Sequence, residues 1–283
     1  MAQSDDKPLD QEALVEAYNR ALALEKAGDF DAAAKAYEEV LQIAPDDHGG
    51  AAVRLASMGR GAVPLKAPDA YVATLFDQHA EMFDTILVDQ LGYDVPLQLR
   101  EMLLEMDDAF NAERMLDLGC GTGLSADALD DMAAHKTGVD ISENMIEVAY
   151  EKGDYDALFV GEAVRFLEST EEENWDLIVA TDVLPYMGEL ERFLPVWRNI
   201  STPAGISVFP VRHWTIIVWP DALSLLAIIS VSLMPNLTCA PCWTVTEWIA
   251  SAVRTSLCVA SKALRCRAIS ILHAAVDRLH REC

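Results

Sequence analysis

The sequence is short of positive charge. It contains 21 lysine and arginine residues against 46 aspartate and glutamate residues, which gives a formal net charge of −25 at pH 7. Such a chain repels the phosphates of nucleic acids and of anionic lipids, so its composition argues against functions that depend on a basic face. We therefore expect no nucleic-acid partner and interpret the acidity as a contribution to solubility.

Signals for export and for metal binding are also lacking. The first twelve residues, MAQSDDKPLDQE, contain neither the basic n-region nor the apolar h-region of a secretory signal. The default expectation is a cytoplasmic protein with reduced thiols. The six histidines show no paired zinc spacing, so no metal site is predicted.

Residues 12–44 predict a helical hairpin. Apolar residues recur at three- and four-residue steps in both halves, and Gly28 and Asp29 break the pattern between them. The segment resembles a tetratricopeptide repeat, and residues 46–59 resemble the first helix of an unfinished second repeat. The predicted repeat segment, 12–59, would either dock a partner peptide or form a structural cap on its neighbour. The positions at the family spacing are Ala21, Gly28, Ala33, Tyr37 and Pro45.

A second domain is predicted over residues 70–211, after a linker at 60–69. Its most informative stretch is MLDLGCGTGL at 115–124, a short apolar run followed by glycines at alternate positions. The run is consistent with a buried parallel strand, and a helical pattern begins at Ser125. Glycines permit positive φ and close approach of a ligand to backbone N–H groups, so this strand, loop and helix predict a nucleotide-type ligand.

Two familiar phosphate-binding patterns are incomplete in this loop. Leu124 stands where the dinucleotide pattern has its third glycine, which counts against a nicotinamide-dependent oxidoreductase. The Gly-Lys-Ser/Thr ending of a P-loop is missing too. Instead, residues 136–140 predict a strand that ends in Asp140, 21 positions after Gly119. An acid at that place can accept hydrogen bonds from both ribose hydroxyls.

MLDLGCGTG and GVDISENMI together resemble the cofactor half of class I S-adenosylmethionine-dependent methyltransferases. Later phrases at 158–169 and 174–187 resemble that family's third and fourth strands, and FDQHAEMFD at 76–84 resembles the helix that covers the cofactor in small-molecule members. The resemblance covers roughly residues 12–205. With the repeat, it is similar to a group of bacterial predicted methyltransferases without an established acceptor.

The resemblance implies an α/β fold with a Rossmann-like, mostly parallel sheet behind a short all-α hairpin, and S-adenosyl-L-methionine as the cofactor. Asp140 would bind the ribose, Glu162 and Ala163 would flank the adenine, and Asp182 would lie near the methionine part. Asp117 would position the amino group of the cofactor or the glycine turn. The implied cofactor site consists of Asp117, Gly119, Gly121, Gly123, Asp140, Glu162, Ala163 and Asp182.

The implied activity is methyl transfer to an unidentified small molecule or to a protein docked by the repeat. The alternative is a non-catalytic scaffold with a degenerate nucleotide-type fold. No catalytic residue is predicted, because a general base is needed only if the acceptor must lose a proton. His79 and Tyr71 are candidates for that side of the site and are interpreted as packing residues. Cys120, between two glycines, is interpreted as a small filler.

The tail from residue 212 to 283 does not fit this family. Residues 1–205 contain 14 basic and 42 acidic residues, a net of −28, whereas residues 206–283 contain 7 and 4, a net of +3. Five of the six cysteines lie in that last segment. After a fifth strand at 202–211, the family continues with a helix and an antiparallel pair of strands that closes the sheet.

Three interpretations of the tail stay open. Residues 215–246 would be membrane-associated, because Ala222 to Thr246 contains no charge and ~20 apolar residues span a bilayer, although the prolines oppose a clean helix. Cys239 and Cys242 have the C-x-x-C spacing of redox and zinc sites. A reading-frame shift near residue 210 would leave the last strands missing or aberrant and lower solubility and turnover; translating the gene in its other frames tests this.

Overall fold

The structure, a computed structural model, describes residues 11–171, 175–187, 193, 201–211, 214–218 and 225–228. The chain divides into two compact units, residues 1–79 and residues 80–283. Each unit is described by itself below. The domain bounds expected from the sequence, 12–59, 60–69 and 70–211, stay a prediction.

The first unit contains a helical hairpin held together by alanines. Ala21 and Ala33 are fully buried, and small side chains at these positions let the two helices approach closely. Tyr37 is also fully buried between them, and its hydroxyl donates a hydrogen bond to Glu25. The predicted hairpin is therefore confirmed. The helices of this unit are α1 (Gln11–Lys26), α2 (Phe30–Ile43), α3 (Ala51–Ser57) and α4 (Asp69–Asp77).

The predicted first helix of a second repeat is α3. Its amino end is capped by Asp47, whose two carboxylate oxygens accept hydrogen bonds from the N–H groups of Ala51 and Ala52 at 2.6 and 3.0 Å. Such capping satisfies donors that a helix start leaves unpaired. In the described residues, the unit therefore contains one complete helical pair, formed by α1 and α2, and two further helices, α3 and α4.

The second unit alternates strands and helices after a first helix. Short helical turns cover Ala80–Met82, Thr85–Gln90 and Asp130–Met132. The helices are α5 (Val95–Met106), α6 (Leu124–Ala128), α7 (Glu143–Lys152), α8 (Ala163–Ser169) and α9 (Leu184–Met187). The strands are β1 (Ala112–Leu118), β2 (Ala133–Asp140), β3 (Ala157–Val160), β4 (Trp175–Val179), β5 (Ser201–Val211), β6 (Trp214–Val218) and β7 (Leu225–Ile228).

These strands form one sheet in the order β3-β2-β1-β4-β5-β6-β7. The first five strands are parallel, as the Rossmann-like prediction requires. The chain moves outward from β1 through β2 to β3 and then crosses to β4 on the other side of β1. Such a reversal opens a crevice at the carboxyl ends of the strands, where ligands of open α/β sheets bind.

The core lies on both faces of the central strands because successive strand residues point to opposite faces. On one face Met115 and Leu177 pack with Leu99 and Leu103 of α5. On the other face Leu116, Leu118 and Ile178 pack with Val164 and Leu167 of α8. All of these residues are at most 5% exposed, so β1 and β4 are anchored on both sides, and the loops at their ends are held rigidly.

The end of the sheet departs from the family pattern. The predicted fifth strand is present as β5, and β6 and β7 pair antiparallel beyond it, so β5 is not an edge strand. Only residues 212–213 separate β5 from β6, which is too few for the helix expected between them. Among the described residues the last strands are therefore not missing, and the aberrant character of the tail stays a prediction. Runs such as WTIIV have a high strand propensity, which explains the pairing.

The remainder of the tail, including Cys239 and Cys242, lies outside the described residues. Within the part of the chain that the structure describes, no helix is long and apolar enough to cross a membrane. The described pieces of 215–246 belong to β6 and β7.

Candidate functional site

The three alternate glycines after β1 all adopt left-handed backbone conformations. The φ angles are +69° at Gly119, +54° at Gly121 and +92° at Gly123. A Cβ atom on Gly119 would lie 2.4 Å from Cγ2 of Val183. Glycine is therefore required there by backbone conformation and by packing, since the loop is pressed against the turn that follows β4.

The N–H groups of this loop are engaged within the protein. Gly119 and Cys120 donate to the carbonyl oxygen of Val139 at 2.7 and 3.0 Å, and Gly123 donates to that of Cys120 at 2.9 Å. Gly121 donates to Oδ2 of Asp140 at 2.8 Å. These four N–H groups therefore have acceptors within the protein, and their expected contact with a ligand stays a prediction. A loop without these donors is poorly suited to a phosphate, which needs them.

Asp140 is placed at the end of β2, directly beside the glycine loop. It is 8% exposed, and its Oδ1 accepts from the N–H of Ser142 at 2.8 Å while Oδ2 accepts from Gly121. Each of its two oxygens accepts from a different backbone N–H, so these two donors fix the plane of the carboxylate. Ser142 caps α7, with its hydroxyl accepting from Met145 N–H at 3.1 Å.

Asp117 lies in β1, two positions before Gly119, and is fully buried. Its Oδ2 accepts a hydrogen bond of 2.7 Å from the hydroxyl of Tyr155, and its Oδ1 is buried without a partner among the described residues. Burial raises the pKa of Asp117 to about 7; the hydrogen bond from Tyr155 lowers it, and the nearby Asp140 adds to the rise. A buried acceptor without a donor is costly, which suggests that a donor completes the site when a ligand binds.

The turn after β4 is held by three contacts. Thr181 and Ser125 hydroxyls lie 3.1 Å apart, and Val183 packs against Gly119. Asp182 has a φ of +55°, which is rare for a residue other than glycine. The hydroxyl of Tyr93 hydrogen-bonds Asp182 and Thr181, and burial followed by the charge of Asp182 raises the pKa of Tyr93 well above its usual value. Strain of this kind is found at functional sites.

The segment before α5 contributes to the same end of the sheet. The ring of Phe83 is the group nearest to Gly121, 3.7 Å from where a Cβ would be. Asp84 accepts a hydrogen bond from the hydroxyl of Thr122 and forms an ion pair with Lys152. Phe83 and Asp84 belong to the FDQHAEMFD phrase, so this part of the phrase lies against the glycine loop.

Glu162 and Ala163 are positioned beside Asp140 but have local roles. The N–H of Gly161 donates to the backbone oxygen of Asp140 at 2.8 Å. Glu162 caps α8, with its carboxylate accepting from Arg165 N–H at 3.0 Å, and Ala163 packs against the core. The expected adenine contacts of both residues stay a prediction.

The structure brings Asp117, Asp140, Asp182 and the glycines to one end of the sheet. Tyr155 and Tyr93 were not predicted from the sequence, because each meets its carboxylate through the fold and no local motif marks it. Tyr71 and His79 lie in the first unit, where the Tyr71 ring packs against Gly50 and His79 Nδ1 lies 2.7 Å from the carbonyl oxygen of Leu75.

Cys120 behaves as a packing residue. It is 5% exposed, and burial raises the pKa of its thiol well above the usual value, so the reactive thiolate is disfavoured. Among the residues that the structure describes, no group of three or more histidine, cysteine, aspartate or glutamate side chains is arranged to hold a metal ion.

Two segments of the chain match known protein families. A family described as "Methyltransferase domain" matches residues 116–209, and one described as "Tetratricopeptide repeat" matches residues 17–47. Both resemblances stated from the sequence are confirmed.

Curated proteins are similar to this chain over 103–136 residues. The ubiquinone biosynthesis O-methyltransferase of Pasteurella multocida is 24% identical over 136 residues, which is 44% of this chain and 56% of that protein. Its counterpart in Maricaulis maris is 29% identical over 103 residues, 35% and 40% of the two chains. The chain thus spans about half the length of the curated relatives it matches. The solved DhpI–SAH complex is 20% identical with a TM-score of 0.42, covering 64% of this chain and 84% of that one.

Proposed function

We propose that this chain, which carries a methyltransferase domain and a tetratricopeptide repeat, transfers a methyl group from S-adenosyl-L-methionine to an acceptor molecule. The proposal rests on the site at the carboxyl ends of β1, β2 and β4. When bound, this cofactor supplies a methyl group on a positively charged sulfur, open to displacement by a nucleophile. The protein then contributes mainly proximity and orientation.

The charge of the site is the observation that carries the proposal. Two carboxylates, Asp117 and Asp140, flank a glycine loop whose N–H groups at residues 119, 120, 121 and 123 bind protein acceptors. Such a site repels a pyrophosphate and attracts a ligand that carries positive charge and hydroxyl donors. S-adenosyl-L-methionine has a sulfonium, an ammonium and two ribose hydroxyls. A nicotinamide dinucleotide also has ribose hydroxyls, but its pyrophosphate would be repelled by these carboxylates.

The residues present fit this cofactor. Asp140 would accept the ribose hydroxyls, with its plane already fixed by Gly121 and Ser142. The partnerless Oδ1 of Asp117 would accept from the ammonium. Glu162 and Ala163 would border the adenine, and Asp182 the methionine end. Gly119, Gly121 and Gly123 would leave room for the ligand beside the backbone.

The protein also orients and shields the site. Asp84 ties the preceding segment to Thr122 and Lys152, and this contact keeps Phe83 near Gly121, where an aromatic ring would exclude water. Tyr93 holds Asp182 in its strained conformation. No general base is assigned, because the acceptor decides whether a proton must be removed.

We infer that the acceptor is a small molecule or a protein presented by the repeat segment. The named relatives are O-methyltransferases of ubiquinone biosynthesis, so aromatic hydroxyl compounds are the first acceptors to screen in cytoplasmic extract. The repeat, α1 and α2, supports a peptide partner, and its alternative role is a structural cap.

Cofactor binding tests the proposal directly. Calorimetric titration with S-adenosyl-L-methionine is expected to show binding to the wild type and at least tenfold weaker binding to Asp140→Ala, since that variant loses a charge-assisted acceptor worth roughly 1.5–3 kcal/mol. The matched control is Asp108→Ala, an exposed position. Equal affinity of wild type and Asp140→Ala would disprove this assignment. No binding by the wild type would favour the scaffold alternative.

A further inference from the structure

Tyr155 connects three parts of the site through one ring. It lies between α7 and β3, and its hydroxyl donates 2.7 Å to Oδ2 of Asp117, 38 positions earlier in the chain. A Cβ on Gly123 would lie 3.2 Å from its Cε2 atom, and one on Gly138 would lie 3.0 Å from Cε1. The ring therefore occupies the space that larger residues at positions 123 and 138 would need.

The hydroxyl of Tyr155 sets the direction of the Asp117 carboxylate. Oδ2 accepts from this hydroxyl, and the buried Oδ1 has no partner within the part of the chain that the structure describes. Among the same residues, the ionisable groups that interact with Asp117 are Tyr155, Asp140, Cys120 and Tyr93. None of these four carries a positive charge, so a cation that reaches Asp117 would be the first positive partner among them.

We propose that Tyr155 is a positioning residue for cofactor capture: its hydroxyl holds Asp117 so that Oδ1 meets the ammonium group of the bound ligand. This inference rests on the proposed function. The tyrosine need not touch the cofactor, because it acts through the carboxylate that it orients. Burial raises the pKa of Tyr155 well above its usual value, so its hydroxyl remains a donor.

The same hydrogen bond favours the ionised form of Asp117. Burial raises the pKa of that carboxyl to about 7, and donation from Tyr155 opposes the rise. A neutral carboxyl loses the charge that attracts an ammonium group. Without the hydroxyl, Asp117 would stay protonated to higher pH. Tyr155 would thus set the pH below which the affinity for the cofactor falls.

The experiment measures the affinity for S-adenosyl-L-methionine from pH 5.5 to 8.5 in the full chain by calorimetry. Tyr155→Phe keeps the ring and removes only the hydroxyl. Its acidic midpoint, the pH at which the cofactor affinity has fallen to half of its maximum, is expected to rise by about one pH unit. Binding near pH 6.5 should then be about tenfold weaker than in the wild type. The control, Tyr150→Phe, changes a side chain on α7 that is 76% exposed and should match the wild type.

A second variant separates positioning from general destabilisation. The cofactor affinity of Asp117→Asn should no longer fall at acidic pH. Adding Tyr155→Phe to that variant should change the affinity less than twofold, because the hydroxyl acts through the charge that Asp117→Asn has removed. Thermal melting without cofactor checks that all variants are folded. A Tyr155→Phe midpoint equal to that of the wild type would overturn the inference while leaving the proposed function intact. A wild type that binds no cofactor at any pH would overturn both.

Discussion

At the scale of single residues, the site is built around a carboxyl group in an unfavourable place. Asp117 is fully buried and has one donor for two oxygens. Ionising it in the folded chain costs free energy, because the protein interior solvates the charge poorly. The cofactor-free fold is therefore less stable than a neutral residue would make it, as is typical of sites arranged for binding rather than for stability.

The first prediction concerns this cost. The pKa of Asp117 rises from the ordinary value of 3.8 to about 7 in the folded chain. A carboxyl whose pKa is raised by folding stabilises the folded chain below pH 3.8, and this contribution to the free energy of unfolding is lost as the pH rises through 7. Because each pKa unit is worth about 1.4 kcal/mol, Asp117→Asn should be more stable than the wild type by a few kcal/mol at pH 8. The advantage should shrink toward pH 5.

Thermal melting of both proteins at pH 5 and pH 8 measures this difference. Comparing the two at each pH cancels the titration of distant groups. A melting-point difference that is the same at both pH values would contradict the raised pKa. Asp117→Asn should bind the cofactor more weakly than the wild type although it is more stable, since it lacks the charge that attracts the ammonium group.

The second prediction concerns Gly119. An alanine there would adopt a φ of +69° and place its Cβ 2.4 Å from Val183. The backbone strain alone costs roughly 1–2 kcal/mol, and the clash adds to it. Gly119→Ala should lower the free energy of unfolding by at least about 2 kcal/mol and abolish measurable cofactor binding.

Urea unfolding and calorimetric titration measure these two effects. Gly161→Ala is the matched control, because a Cβ at position 161 meets no atom within 4 Å and its φ is not in the left-handed range. The control should stay within about 0.5 kcal/mol of the wild type. Near-native stability of both variants would contradict the packing of Val183 against the loop.

At the scale of elements, one carboxylate, that of Asp84, links the segment before α5 both to the glycine loop and to α7. Asp84 accepts from the Thr122 hydroxyl and pairs with Lys152 of α7. The Asp84 and Lys152 side chains are 37% and 29% exposed, so solvent screening reduces the worth of this ion pair. The contact is therefore suited to a part that opens and closes.

The third prediction follows from this fastening. Asp84→Ala should weaken cofactor affinity about fivefold, since the loss of contacts is worth roughly 1 kcal/mol. Hydrogen exchange over residues 80–90 should accelerate in the same variant, because the segment loses its tie. Asp89→Ala, at an exposed position of the same segment, is the control. Unchanged exchange in Asp84→Ala would show that other contacts hold the segment.

Elements with local signals were predictable from the sequence. The apolar run before Gly119, the acid at Asp140 and the alanines of the hairpin lie within single motifs, and each is placed as predicted. Tyr155 and Tyr93 were not predictable, because their partners are set by tertiary structure. The engagement of the loop N–H groups was missed for the same reason: Val139, whose oxygen accepts two of them, lies in another strand.

At the scale of the whole molecule, the chain consists of two units with separate cores. Every residue proposed to hold the cofactor lies in the second unit. The fourth prediction is that residues 80–283 alone bind S-adenosyl-L-methionine within about threefold of the full chain, a change of less than about 0.7 kcal/mol. Calorimetry on both proteins measures it. A tenfold loss would show that the first unit contributes to the site.

The contact between Gly119 and Val183 joins two positions that are far apart along the chain. No side chain fits at 119 while a branched one stands at 183. A larger residue at 119 therefore needs a smaller residue at 183 as well as a backbone that tolerates a φ of +69°, so natural variants that lack Gly119 should also lack Val183. A protein engineer who wishes to enlarge the loop would have to begin at valine, not at glycine.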